Sequence, residues 1–181
     1  MINYNEMAET IYRQNKAVGW WDDPKRCIFQ TLQLVSTEIA EATEGERKNI
    51  MDDHLPARKM GEVELADALI RILDLGGRYN WEIMESVSPL IECTSPTLSI
   101  GGKHLFLNVC LVGLTHNLPH DYDHPDGATN YHYTNLVVSI VAVAESQGYD
   151  IEGAMLEKLE YNKQRQDHKR ENRAKKGGKS F

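Results

Sequence analysis

Residues 62–75 read EVELADALIRILDL, and their spacing decides the class of fold. At about 100° per residue, Val63, Ala66, Ile70 and Leu73 line one flank of a helix. Leu65, Ala68, Ile72 and Leu75 line the other. Between the flanks Glu64, Asp67, Arg71 and Asp74 share one stripe about 80° wide. Such a helix calls for burial on most sides. Its stripe is either a narrow solvent face, with Arg71 neutralising Asp67 and Asp74, or one wall of a site.

The segment upstream, LVSTEIAEATEGE (34–46), repeats the theme. Glu38 falls among Leu34, Val35 and Ala42, away from the polar side formed by Gln30, Gln33, Thr37 and Glu44. Glu41 stands at the boundary. Residues three apart are neighbours on a helix, so Glu38/Glu41 and Glu64/Asp67 form two pairs. Buried carboxylates are costly without a partner and repel one another when close. Magnesium resolves both problems, because it prefers carboxylate oxygens and keeps waters for a phosphate-bearing substrate. Two facing helices can aim four such carboxylates into one bundle cleft. Periodicity leaves the solvent face and the metal site both open.

Helical spacing dominates the rest of the chain. Helices are predicted over about 2–17, 25–45, 60–78, 102–117, 130–147 and 151–170, with Pro24 in the first turn of the second and Gly45 at its end. Asn80 is predicted to cap a short helix from Trp81, with Tyr79 and Met84 as its staple. Residues 86–101 carry two prolines and read as a connection, with a short hairpin around Gly101-Gly102 as an option. RYNWEIMESV (78–87) faintly echoes GYDIEGAMLEKL (148–159), either an old duplication or repeated capping chemistry.

The 181 residues suffice for one domain with a core. No apolar run reaches the ~18 residues of a membrane helix, and the acidic start does not read as a secretory leader. Three scattered cysteines (Cys27, Cys93, Cys110) read as reduced thiols, so a cytoplasmic location is expected. Net charge is −7, yet 163–179 carries +6 and leaves −13 elsewhere. An acidic body with a basic tail suits metal and phosphate; a tail on nucleic acid is the competing use.

On these motifs the chain resembles the MazG-like all-α nucleoside triphosphate pyrophosphohydrolases. That family carries E-E-x-x-E on one helix and E-x-x-D on the next. Here TEIAE supplies Glu38 and Glu41 with Thr37 at the first position, and ELAD supplies Glu64 and Asp67. GWWDD (19–23) also looks like the phage and bacterial branch. KLEYNKQR supplies Lys158, Asn162 and Arg165, similar to the family's K-x-x-x-N-x-x-R, and GGK brings Lys179 near the end. The likeness covers about 1–85 and 148–181. It departs in the roughly 70 residues between the E-x-x-D helix and the helix with the Asn, and in the longer tail before the glycines.

The resemblance implies a four-helix-bundle-like core (1–85 and 148–170), an insertion (about 86–147) with one or two extra helices, and a basic tail (171–181). It implies hydrolysis between the α- and β-phosphates of a (d)NTP. Glu38, Glu41, Glu64 and Asp67 would hold magnesium, with manganese as the alternative ion. Lys158 and Arg165 would meet the pyrophosphate oxygens, Asn162 the sugar or phosphate, and Trp20 or Trp21 the base. Trp20 and Trp21 also read as loop anchors, and Lys158 and Arg165 as surface cations.

A homodimer or homotetramer is expected, both from the resemblance and from the apolar third helix. Two other readings stay in view: a non-catalytic bundle using its tail on nucleic acid or a protein, and a hydrolase of an alarmone or of one modified nucleotide. The acidic body argues against nucleic acid. Zinc on His116, His120, His124 and His132 is disfavoured, because Pro119 breaks the helix that would align the first two.

Overall fold

The computed structural model describes residues 2–165 and 172. Among them the fold is all-α, with helices α1 (Tyr4–Ala17), α2 (Ile28–Lys48), α3 (Met60–Tyr79), α4 (Ile91–Thr94), α5 (Ile100–His116), α6 (Gly127–Ser146) and α7 (Ile151–Gln164). No helix among the described residues is long and apolar enough to cross a membrane.

α3 is the axis. It packs against α1, α2, α6 and α7, and α5 packs against α2 and α6. Its apolar flanks are buried, and along 61–76 only Asp67 and Arg71 are partly exposed. Ala8, Val35, Leu69, Cys93, Leu107, Val137 and Ala154, one from each helix, belong to a single apolar cluster. The segment 86–147 therefore supplies core: Leu107 on α5 and Tyr133, Val137 and Ile140 on α6 are fully buried. The surface that α3 offered for a second subunit is covered by its own chain, and the oligomer expectation loses that ground.

Close approach sets the helix crossings. Gly45 does not stop α2. A Cβ there would lie 2.8 Å from the Gly61 nitrogen, so it is the notch that receives the start of α3. α2 ends at Lys48, where Asn49 adopts a left-handed conformation (φ 50°). Gly77 serves the α1 crossing, since a Cβ would meet the Ala8 carbonyl oxygen at 2.2 Å.

Several local signals resolve differently from their prediction. α2 begins at Ile28, because Asp23 holds Pro24–Arg26 in a turn: its Oδ1 accepts from the Lys25 N–H at 2.8 Å and its carbonyl from the Arg26 N–H at 3.2 Å. Asn80 does not start a helix. It closes α3 at φ 55°, and the Trp81 N–H returns to the Gly76 carbonyl at 2.9 Å.

Residues 81–90 then run without helix, and other elements satisfy their backbone. Asn130 accepts from the Glu82 N–H (3.1 Å), Asn5 from Ile83 (2.8 Å), Thr134 from Met84 (3.0 Å) and Ser139 from Leu90 (2.9 Å). These bonds explain why α6 buries Thr134 and Ser139. The echo between 78–87 and 148–159 is not structural, since only the second copy is a helix, capped by Asp150 on the Gly153 N–H.

Gly101-Gly102 lies inside α5, capped by Ser99, so no hairpin forms. α6 starts at Gly127 on the Asp126 cap, three residues before its prediction. α7 ends at Gln164, with Arg165 extended; residues 166–171 and 173–181, Lys179 among them, lie outside the described residues. Cys93 and Cys110, far apart in sequence, are both buried, and the Cys110 thiol donates to Ser139 Oγ at 3.7 Å.

Candidate active site

α2 and α3 bring the first carboxylates together. One oxygen from each of Glu38, Glu41 and Glu64 lies within 4.8 Å of the others. Glu38 and Glu64 are buried, 6% and 8% exposed, whereas Glu41 faces outward. The stripe of α3 is therefore not a solvent face: Glu64 and Asp74 are covered, and Asp67 and Arg71 open into a cavity. Burial first, then the charges of Asp67 and Glu38, push the Glu64 carboxyl up to about 9. Crowded, desolvated oxygens of this kind are a donor set for a hard divalent cation. The residues present fit magnesium on Glu38, Glu41 and Glu64.

Asp67 is engaged elsewhere. Its Oδ2 lies 2.8 Å from the Lys158 Nζ, and the Lys158 side chain is 3% exposed. Burial pulls this ammonium down, but the charge and hydrogen bond of Asp67, with Glu64 and Asp52, raise it above the usual lysine range. Burial raises Asp67 as well, with Lys158 opposing. Lys158 is thus the fixed counter-charge of the acidic group and is not among the residues lining the cavity. This pairing gives Lys158 a positioning role. Arg71 bonds Glu38 and not Asp67 or Asp74, so the ion pair predicted within α3 forms between helices.

Arg58 fixes α7 beside this group. Its guanidinium, 14% exposed, pairs with Glu62 at the start of α3 (2.5 Å) and with Asp150 (3.2 Å) and Glu157 (2.8 Å) on α7. That clamp sets Lys158 and Asn162 against α3.

A cavity of about 360 Å³ adjoins the acids at Asp67 and Arg71. Trp20, Asn162 and Arg165 line it, as do Gln14, Asn15 and Asp74. Trp21 turns inward instead, where its Nε1 donates to both Asp74 oxygens at 3.1 and 3.2 Å. The Arg26 guanidinium stacks 4.5 Å from the Trp21 ring and donates to the Trp20 carbonyl, which braces the loop. Asn162 Oδ1 is buried with no hydrogen-bond partner among the described residues.

Comparison with protein-family models, with curated proteins and with solved structures returns no match. The chemistry of the site has to be argued from its own residues.

Sequence reading missed three contributors. Asn15 and Gln14 sit on α1, where no spacing marks them as facing α3. His54, in the loop before α3, lies 3.4 Å from the Lys158 Nζ and stacks on Tyr161. The four histidines considered for zinc do not converge: among the described residues, the acidic trio is the one group of three ligand-type side chains that does.

Proposed function

We propose that this chain is a magnesium-dependent nucleotide pyrophosphohydrolase, cleaving (d)NTPs between the α- and β-phosphates. The observation that carries the reading is a trio of converging carboxylates tied by the Glu38–Arg71 pair to a cavity of nucleotide scale, which Arg71 lines together with Trp20, Arg165 and Asn162 with its orphaned amide oxygen. The sequence resemblance to MazG-like enzymes points the same way on the same residues.

A bound divalent cation supplies neutralisation of phosphate charge and activation of water at this site. The chain does the rest. Glu38 and Glu64 present fixed oxygens, held by Arg71 and by the helix contact of α2 with α3. Glu41, the exposed member, orients the attacking water and takes its proton. Water oxygen joins the α-phosphorus, the bond to the bridging oxygen breaks, and pyrophosphate leaves with that oxygen. Arg165 at the cavity wall meets the phosphate oxygens. Lys158 keeps Asp67 in place, and Trp20 gives the base an aromatic wall.

The test is pyrophosphate release from a panel of NTPs and dNTPs with Mg²⁺. Loss of at least ~100-fold is expected for Glu64→Gln; full activity in Glu64→Gln plus Asp67→Asn protein sinks the assignment. A readout free of turnover is the melting temperature. Mg²⁺ at about 100 times its Kd should stabilise the wild type by ~2.7 kcal/mol, and Glu64→Gln should abolish the shift.

A further inference from the structure

We propose that the inner end of the cavity reads a guanine base, and that Asp74 is the residue that selects it. This rests on the nucleotide reading above and takes it from phosphate to base. Asp74 follows Glu64, the α3 member of the acidic trio, by ten residues, about 15 Å along the axis. A cation on the trio, a phosphate and a nucleoside laid end to end span that length. With phosphate at the acidic end, the base edge arrives at Asp74.

The acceptor at that end is the Asp74 carboxylate, with the Arg26 and Arg71 charges near enough to pull on it. Asp74 is 6% exposed and lines the cavity. Trp21 Nε1 and the Asn15 side chain donate to it, which fixes the carboxylate and leaves lone pairs for a ligand. Asn15 itself lines the cavity beside Asp74. Asn162 Oδ1, on α7 across the same cavity, is buried and unpartnered among the described residues.

A carboxylate fixed in this way calls for a ligand edge of donors. Guanine carries N1–H and the 2-amino group side by side, and the two match the two oxygens of a carboxylate. Uracil and thymine set carbonyl oxygens on both sides of their one N–H. Adenine and cytosine place a ring-nitrogen acceptor beside the amino group. Each of these turns a lone pair toward Asp74, and a site built to bond a donor rejects a ligand lacking it.

Calorimetry with GMP, IMP, CMP and UMP on the full chain tests this, because monophosphates are not consumed. GMP should bind at least tenfold tighter than CMP or UMP. IMP, which lacks only the 2-amino group, should bind at least fivefold more weakly than GMP. Asp74→Asn, which turns an amide donor toward N1–H, should cut the GMP-to-UMP ratio at least tenfold. Binding of GMP within threefold of UMP, equal binding of GMP and IMP, or binding of none of the four overturns the inference. The GMP and IMP comparison uses wild-type protein and needs no variant to fold. A chain that selects GMP and cleaves no triphosphate sinks the hydrolase and keeps this inference. One that cleaves all bases equally does the reverse.

Discussion

Burial raises the Asp74 carboxyl to about 6, although hydrogen bonds from Trp21 and Asn15 pull against it. Its folded pKa exceeds the unfolded value, so its favourable contribution is complete below pH ~4 and is lost as pH rises through ~6. Asp74→Asn stays neutral and should gain up to about 3 kcal/mol over wild type between pH 4 and pH 7.5. Denaturant midpoints at the two pH values measure it; a constant gap would refute it.

His104 works in the opposite sense. Burial lowers it to about 4, with Nδ1 at 2.8 Å from Thr43 Oγ1 and Nε2 unpartnered among the described residues. Its contribution is present above pH ~6.5 and fades as pH falls toward ~4. His104→Gln should flatten that acid-side loss in the same midpoint series. The carboxylate stripe was legible in sequence because 3.6-residue spacing set Glu64, Asp67 and Asp74 on one line. Their partners were not, because Trp21, Lys158 and Asn15 approach from other elements.

At the scale of elements, close backbone approach gives the sharpest prediction. Gly77→Ala puts a methyl against the Ala8 carbonyl, a backbone atom that cannot swing aside. It should cost ~1–3 kcal/mol or more and lower the melting temperature; an unchanged melt would mean that α1 and α3 can separate freely. α2 and α3 were legible because their apolar spacing runs for five turns or more. The stretch 81–90 was not. Its capping residue and staple are sound local signals, but Asn130, Thr134 and Ser139 on α6 offer its backbone hydrogen bonds that a helix start would forgo. Gly101-Gly102 misled likewise: the Ser99 cap and burial of Leu107 and Leu111 draw the pair into α5.

Across the whole molecule, residues 86–147 form part of the core. Replacing them by a short flexible linker should abolish cooperative melting, because α3 would lose its cover from α6 and α2 its cover from α5. Retention of a sharp transition and full helicity, read by circular dichroism, would make the segment an appendage. The sequence by itself determined that the chain is helical, that α2 and α3 form, and which acids share their faces, since those follow from local periodicity. Only the tertiary structure decided that the apolar surface of α3 is closed within the chain and that Lys158 is committed to Asp67. It also decided that the stripe opens into a cavity shared with α1, the Trp20 loop and α7. Each of these depends on contacts between residues tens of positions apart, and helical spacing holds no information about which distant surface arrives.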